Sequence, residues 1–398
     1  MTAAASPVRP VSPPPDPWLP ALGLLDCERL AQTLTTLLAG AAEVTDAQVT
    51  YLEYSPAAAL VLQASAAVNG VHRSVVIRAG REVDRYVRAS GAPIPDLRAV
   101  VHWLPFDPHL RLLAASPSEI SSLISNAAGL DLPSSAGASL RLLSYVPGRR
   151  ATFTLDSCVV KTYGTSREFR LATAALELLG DGAELPTPRA LAALPAYRMT
   201  VQERAAGMPA DRRDAIGMTG AARHVIDRLH SSSLAARVHR DPSTQLRSAR
   251  SAVRTLAAAL PDEAPRALRV LQRLGDTAPR RLPLVPSHGD FSVDQLLVTP
   301  DGGLTVTDVD NACRAPAALD VASFAANVMS GRPGDQDHSE ALLEGLLVHG
   351  PALPGIRWYY AAMLLRRCDR PFRRLKKGWP EKSTTILEHA ERVCATLR

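Results

Sequence analysis

The sequence predicts an α+β chain: a small β-rich lobe, then a larger helical lobe, with an extra N-terminal α/β segment ahead of both. Two observations carry this prediction. Val- and Ala-rich runs bounded by tight-turn residues crowd the region before Glu168, and beyond it apolar residues recur mostly at helical spacing. A chain of 398 residues has room for two or three compact domains.

Residues 1–17 are Pro-rich and cannot pack a core, so a disordered lead-in is expected there. Leucines at helical spacing predict one amphipathic helix over residues 22–38, closed by Gly40. Residues 49–66 read as one extended run. Asn69-Gly70 then supplies a tight turn, and residues 73–78 form the returning strand. After breakers at Pro105 and Asp107-Pro108, a helix is expected through Ile120 and Leu123. Residues 18–135 are therefore assigned to an accessory α+β domain.

A similar pattern returns at Tyr145-Val146-Pro147-Gly148 and ends in Cys158-Val159-Val160-Lys161. Tyr54, Pro56 and Arg78 of the first copy match Tyr145, Pro147 and Lys161 of the second. So short a match leaves two explanations open, duplication or the general likeness of hairpins built from Val and Ala. Residues 136–204 form the expected β-rich lobe and 205–398 the helical one. Helices are expected at 169–179, 211–234 and 242–274 and in several runs after Ala317, with strands at 198–203, 296–298 and 304–308.

Composition narrows the functional classes. No stretch approaches about 18 uninterrupted apolar residues and the N-terminus is not basic-then-apolar, so a soluble cytoplasmic protein without a membrane partner is expected. Cys27, Cys158, Cys313, Cys368 and Cys394 are widely spread without metal-type spacing, as reduced structural cysteines would be. Much of the net charge of +6 lies in residues 366–382. Lacking interleaved aromatics or a binding motif, that run reads as a solvated helical face, and no nucleic-acid partner is expected.

The most informative stretch is 286–324. It places His288-Gly289-Asp290, then Gln295, a hairpin turning at Gly302-Gly303 and ending in Asp308, and finally Asp320 in a helical run. Phosphoryl transfer needs a carboxylate to orient the attacking hydroxyl and metal ions to neutralise the triphosphate, and two acidic groups flanking a hairpin suit both needs. This ordered set resembles the aminoglycoside-phosphotransferase and choline-kinase family, whose pattern is H-G-D, four residues, Asn, a hairpin ending in Asp, and a distal Asp.

The resemblance implies a protein-kinase-like two-lobed fold and the cofactors ATP and Mg2+. It makes Asp290 the catalytic aspartate and Asp308 a metal ligand. Gln295 stands where the family has its second metal-binding Asn, with a reach longer by one methylene. His288 would orient the loop, and Asp320 would tie it to a helix. Asp310 would either support Asp308 or cap the following loop.

Upstream, Lys161 ends a strand and suits the lysine that holds the α- and β-phosphates, with Glu168 as its partner and Glu177 as the competitor. Gly148 marks the nucleotide-covering loop, in which Arg149 and Arg150 either add phosphate contacts or are solvated, the solvated reading coming first. Gln202 and Glu203 lie where the linker between lobes would meet adenine. His230 is read as a packing or capping residue.

The acceptor is open. A small-molecule hydroxyl comes first, then Ser or Thr of a precursor peptide, then a pseudokinase that binds nucleotide and acts through a partner protein docked on the N-terminal segment.

Overall fold

The computed structural model describes residues 13–39, 41–129, 140–179, 185–232, 238–331 and 336–397. The expected boundary at 135/136 and residues 1–12 of the lead-in lie outside these. The last part of the lead-in is tied down, contrary to expectation: Asp16 accepts hydrogen bonds from the Tyr54 hydroxyl at 2.9 Å and the Ala57 N–H at 2.8 Å.

The expected single helix over 22–38 is two elements. A short 3-10 helix, Pro20–Leu25, stops at Asp26, which has an extended backbone, and α1 (Cys27–Leu37) starts there because the Asp26 carboxylate accepts the N–H groups of Glu28 and Arg29. The run at 49–66 is likewise two strands, β1 (Val44–Ser55) and β2 (Ala59–Val68), folded by a turn at residues 56–58. Asn69 and Gly70, both at positive φ, turn the chain into β3 (Val71–Gly80). α2 (Val83–Arg88), β4 (Ala92–Ile94) and β5 (Ala99–Trp103) complete an antiparallel sheet of order β1-β2-β3-β5-β4. α3 (Pro117–Ala128) follows, started by a Ser116/Glu119 capping box and ended by Gly129 in the left-handed region.

The second sheet repeats the first. It contains β6 (Leu140–Val146), β7 (Arg150–Leu155) and β8 (Cys158–Tyr163), then α4 (Ser166–Leu179), β9 (Ala190–Leu194) and β10 (Met199–Glu203), in the order β6-β7-β8-β10-β9. The registers coincide. Tyr54 faces Leu60 as Tyr145 faces Ala151; Arg78 lies between Val61 and Val100 as Lys161 lies between Thr152 and Thr200. Arg98 and Arg198, each three residues after a proline, both sit at positive φ in the last hairpin. This agreement of order, register and turn favours the internal repeat over a chance likeness of hairpins.

The helical part begins after β11 (Met208–Pro209). It comprises α5 (Thr219–His230), α6 (Pro242–Ala259) and α7 (Ala264–Asp276), then the short strands β12 (Val285–Ser287), β13 (Leu296–Val298), β14 (Leu304–Val306) and β15 (Cys313–Ala315), then α8 (Ala318–Gly331), α9 (Gln336–Val348), α10 (Ile356–Arg367), α11 (Arg370–Arg373) and α12 (Trp379–Ala395). The expected helix at 242–274 is broken at Leu260, because the proline at 261 disfavours helical backbone in the residue before it. The one expected at 211–234 starts only at Thr219; Asp211 caps a separate 3-10 turn, and residues 233 and 234 lie outside the described residues.

α10 is the axis of the lobe, with Trp358 to Leu365 buried against α6, α8 and α12. Each such large apolar side chain contributes about 1.5–3 kcal/mol by leaving water. The first sheet buries its inner face, Leu60, Leu62 and Ala64, on Leu30 and Leu34 of α1. The same cluster continues into Ala259, Phe372 and Trp379 of the helical lobe, and a separate cluster packs Leu110, Ile120 and Ile124 of the accessory unit on Ala151, Phe153 and Val160 of the second sheet, so the accessory unit packs on both other parts. Among the described residues, no helix is long and apolar enough to cross a membrane.

Candidate active site

β12 delivers the loop His288-Gly289-Asp290. Gly289 has φ 81°, and a Cβ there would lie 2.6 Å from the Asn311 carbonyl, so both backbone and space require glycine. The loop hangs on Asp320 of α8. Its carboxylate accepts the His288 N–H at 2.8 Å and the Gly289 N–H at 2.9 Å, with the His230 ring at 3.4 Å. Burial alone would raise the Asp320 pKa, but the bond and charge of His230, the charge of His288 and the Gly289 N–H together hold it below the usual range. The His288 side chain donates through Nε2 to the Thr307 carbonyl at 3.1 Å, joining this loop to the residue between β14 and Asp308. Arg240 braces the other side, donating to the Gly289 carbonyl at 2.8 Å and to Asn311 Oδ1 at 3.1 Å.

Asp308 follows β14 with φ 59°, a conformation that turns the chain sharply. Lys161 Nζ bridges Asp308 Oδ1 and Asp310 Oδ1, at 2.9 Å to each, and Tyr163 donates to Asp310 Oδ2 at 3.0 Å. Arg150 adds a second cation, 2.8 Å and 3.2 Å from the two Asp308 oxygens and 3.0 Å from Asp310. Burial opposes ionisation of Asp308, but Lys161 and Arg150 override it and hold the carboxyl far below its ordinary value. The same contacts raise the Lys161 pKa against its own burial. Lys161 is 5% exposed and so is no solvent-facing edge lysine.

Several expectations need correction. Glu168 does not pair with Lys161 in this structure: it lies 3.3 Å from Arg149 and accepts from Thr165 at 3.0 Å, while Asp308 and Asp310 take up Lys161 Nζ. Glu177 is exposed. The Gly148 N–H is not free for a phosphate. It donates at 2.8 Å to Asp107 of the accessory unit, which also accepts from the Tyr145 hydroxyl at 2.6 Å and from Arg78 at 2.9 Å. Of the two loop arginines, Arg149 is exposed as expected, whereas Arg150 is drawn in by Asp308. Gln202 is buried in β10. Glu203 is exposed beside Arg189 at 3.7 Å, and its N–H donates to the Arg189 carbonyl at 2.9 Å.

Gln295 Oε1 is buried and has no hydrogen-bond partner among the described residues. Among the described residues, no three His, Cys, Asp or Glu side chains converge as a metal set. An unspent amide oxygen and the Asp308 carboxylate still suit Mg2+, which takes few protein ligands and keeps water and substrate phosphate oxygens as the rest.

Asp290 opens on a cavity of about 310 Å³ between the β1–β2 hairpin, α6 and the α10–α11 corner. Arg367 and Arg366 approach its Oδ1 at 3.8 Å and 4.0 Å. The basic run beginning at Arg366 is therefore not simply a solvated face: Arg366, Arg367, Arg370 and Arg373 line this cavity, because α10 is sunk in the core and its C-terminus ends at the His288–Asp290 loop. Asp107, Arg150, Arg240 and this arginine corner escaped the sequence reading. Arg150, Arg240 and Arg366 meet Asp308, Gly289 and Asp290 across 49 or more residues, Asp107 meets Arg78, Tyr145 and Gly148 across 29 to 41, and no local pattern marks these contacts.

A family model described as the phosphotransferase enzyme family matches residues 151–359, more than half of the chain. The structure is similar to a choline kinase from Cryptosporidium parvum (TM-score 0.51, 11% identity, 70% of this chain and 95% of that one). It is similar also to the choline kinase LicA from Streptococcus pneumoniae (TM-score 0.50, 14% identity, 70% and 98%). An aminoglycoside phosphotransferase from Streptomyces rimosus matches with TM-score 0.47 and 20% identity over 63% and 97%. The first two show the protein-kinase-like fold. No curated protein matches the chain.

Proposed function

Because the chain belongs to the phosphotransferase enzyme family, we propose that it transfers the γ-phosphate of ATP to a hydroxyl of a small molecule, with Mg2+ as cofactor. The observation that carries this reading is the Lys161–Asp308 pair at 2.9 Å, a buried lysine on a half-buried carboxylate, which joins the β-rich lobe to the helical lobe beside a separately held Asp290. In this reading Lys161 and Arg150 hold the phosphate oxygens once nucleotide arrives, exchanging carboxylate partners for phosphate ones. Asp308 and Gln295 would hold the metal, which neutralises charge on the triphosphate when bound. Asp290 orients the acceptor hydroxyl and receives its proton. Asp320, His288 and Arg240 keep that loop from shifting, which matters because misplacement by about 1 Å can cost about 10²-fold in rate.

The cavity volume favours a small acceptor over a folded protein segment. The test is transfer of label from [γ-32P]ATP into a small-molecule extract, with Asp290→Ala as control. Asp290-dependent label on small molecules supports the reading. Label on peptide alone would favour a precursor peptide, and absent transfer despite ATP binding would favour a pseudokinase.

A further inference from the structure

The cavity at Asp290 is lined by four arginines, Arg366, Arg367, Arg370 and Arg373, and by three carboxylates, Glu53, Asp290 and Asp369. The carboxylates do not satisfy the cations. Asp369 sits 3.8 Å from Arg373, yet its Oδ1 is buried without a hydrogen-bond partner. Arg367 is buried with Nε likewise unpartnered among the described residues; its other nitrogens contact Met363 Sδ at 3.5 Å and Ser323 Oγ at 3.2 Å, and approach Asp290 Oδ1 only to 3.8 Å. Burial and the neighbouring Arg374 and Arg366 push Arg370 down to about 10, despite attraction from Asp290 and Asp294. Buried cations without matched partners are costly, and guanidinium forks match carboxylate and phosphate oxygens.

We propose that the acceptor is itself an anion: a small hydroxyl compound whose phosphate or carboxylate group seats against Arg366, Arg370 and Arg373 while its hydroxyl faces Asp290. This rests on the assignment of Asp290 as the acceptor-facing carboxylate. The acceptor O–H bond breaks and its oxygen bonds to the γ-phosphorus of ATP. The bond from that phosphorus to the bridging oxygen breaks to release ADP, and the proton passes to Asp290 and then to solvent. A cationic acceptor would enter against four guanidinium groups, which like-charge repulsion opposes.

The experiment is calorimetric titration of the full chain, first saturated with Mg-ADP to fill the nucleotide site, using four probes of similar size: glycerol 3-phosphate, glycerate, glycerol and choline. The two anions should bind and the other two should not. Arg370→Gln and Arg373→Gln should each weaken anion binding about 10-fold while Mg-ADP binding persists, which also shows that the variants fold. Binding by choline or glycerol equal to that of the anions, no binding by either anion, or undiminished anion binding in both variants overturns the inference. Mg-ADP binding, measured first, reports on the phosphotransfer reading separately.

Discussion

Arg78 and Lys161 occupy the same register position in two sheets of the same strand order, and they close different ion pairs. Lys161 reaches the helical lobe at Asp308 and Asp310. Arg78 pairs with Asp107 at 2.9 Å, and Asp107 passes the contact on to Tyr145 and Gly148 of the second sheet. The accessory sheet thus has the scaffold of a nucleotide lobe but grips the loop of its twin instead.

That grip predicts a positioning role for Asp107. Asp107→Asn breaks a buried pair and should destabilise the chain by about 3 kcal/mol, read by denaturant unfolding. It should also raise the KM for ATP several-fold with little change in kcat. The double variant Arg78→Met/Asp107→Leu should recover stability without recovering KM; recovery of both would make the clasp merely structural.

The corrected partner of Lys161 is equally testable. Lys161→Ala leaves Asp310, with 7% of its side chain exposed, short of a cation, and should weaken ATP binding by more than about 10-fold. Glu168→Gln removes only a partly exposed pair with Arg149 and should change ATP affinity less than about 2-fold. Equal losses in the two variants would restore Glu168 as the functional partner.

Burial pushes the Asp369 carboxyl up to about 6, although Arg373 and Arg370 pull it down. Arg366 faces it from α10, and Glu53 and Asp290 share its cavity from the first sheet and the catalytic loop. As pH falls through 6 the group becomes neutral and the cavity more positive, so glycerate, whose own carboxyl stays ionised, should bind more tightly at pH 5.5 than at pH 7.5. Asp369→Asn should flatten that dependence. Because the folded value lies above the unfolded one, the stability tied to its proton is complete below about 4 and lost as pH rises through 6. Asp369→Asn should therefore gain stability over the wild type at pH 8.

The 286–324 stretch was legible as a pattern because its parts are local. His288, Asp290, Gln295, Asp308 and Asp320 fall within 33 residues, and turn and strand chemistry fixes their order. Lys161 was legible for the same reason, at the end of a tight hairpin. What failed was tertiary. Nothing in the sequence says that Asp310 reaches Lys161 Nζ, so Glu168 was paired by analogy and Asp310 undervalued. A run of arginines reads as solvated unless the burial of α10 is known, and the Asp107–Gly148 contact spans 41 residues. The repeat was faintly visible in Tyr54 and Tyr145; strand order and register made it plain.

The measurement that bears most directly on the central claim is thermal stability with ATP, with Mg2+ and with both, for the wild type and Asp308→Ala. Ligand that binds only the folded chain at about 100 times its Kd adds about 2.7 kcal/mol. A wild-type shift that needs both ATP and Mg2+ and disappears in Asp308→Ala is the predicted result. A shift with ATP that ignores magnesium, or one that survives in Asp308→Ala, would contradict a metal-dependent phosphotransfer site built on Asp308.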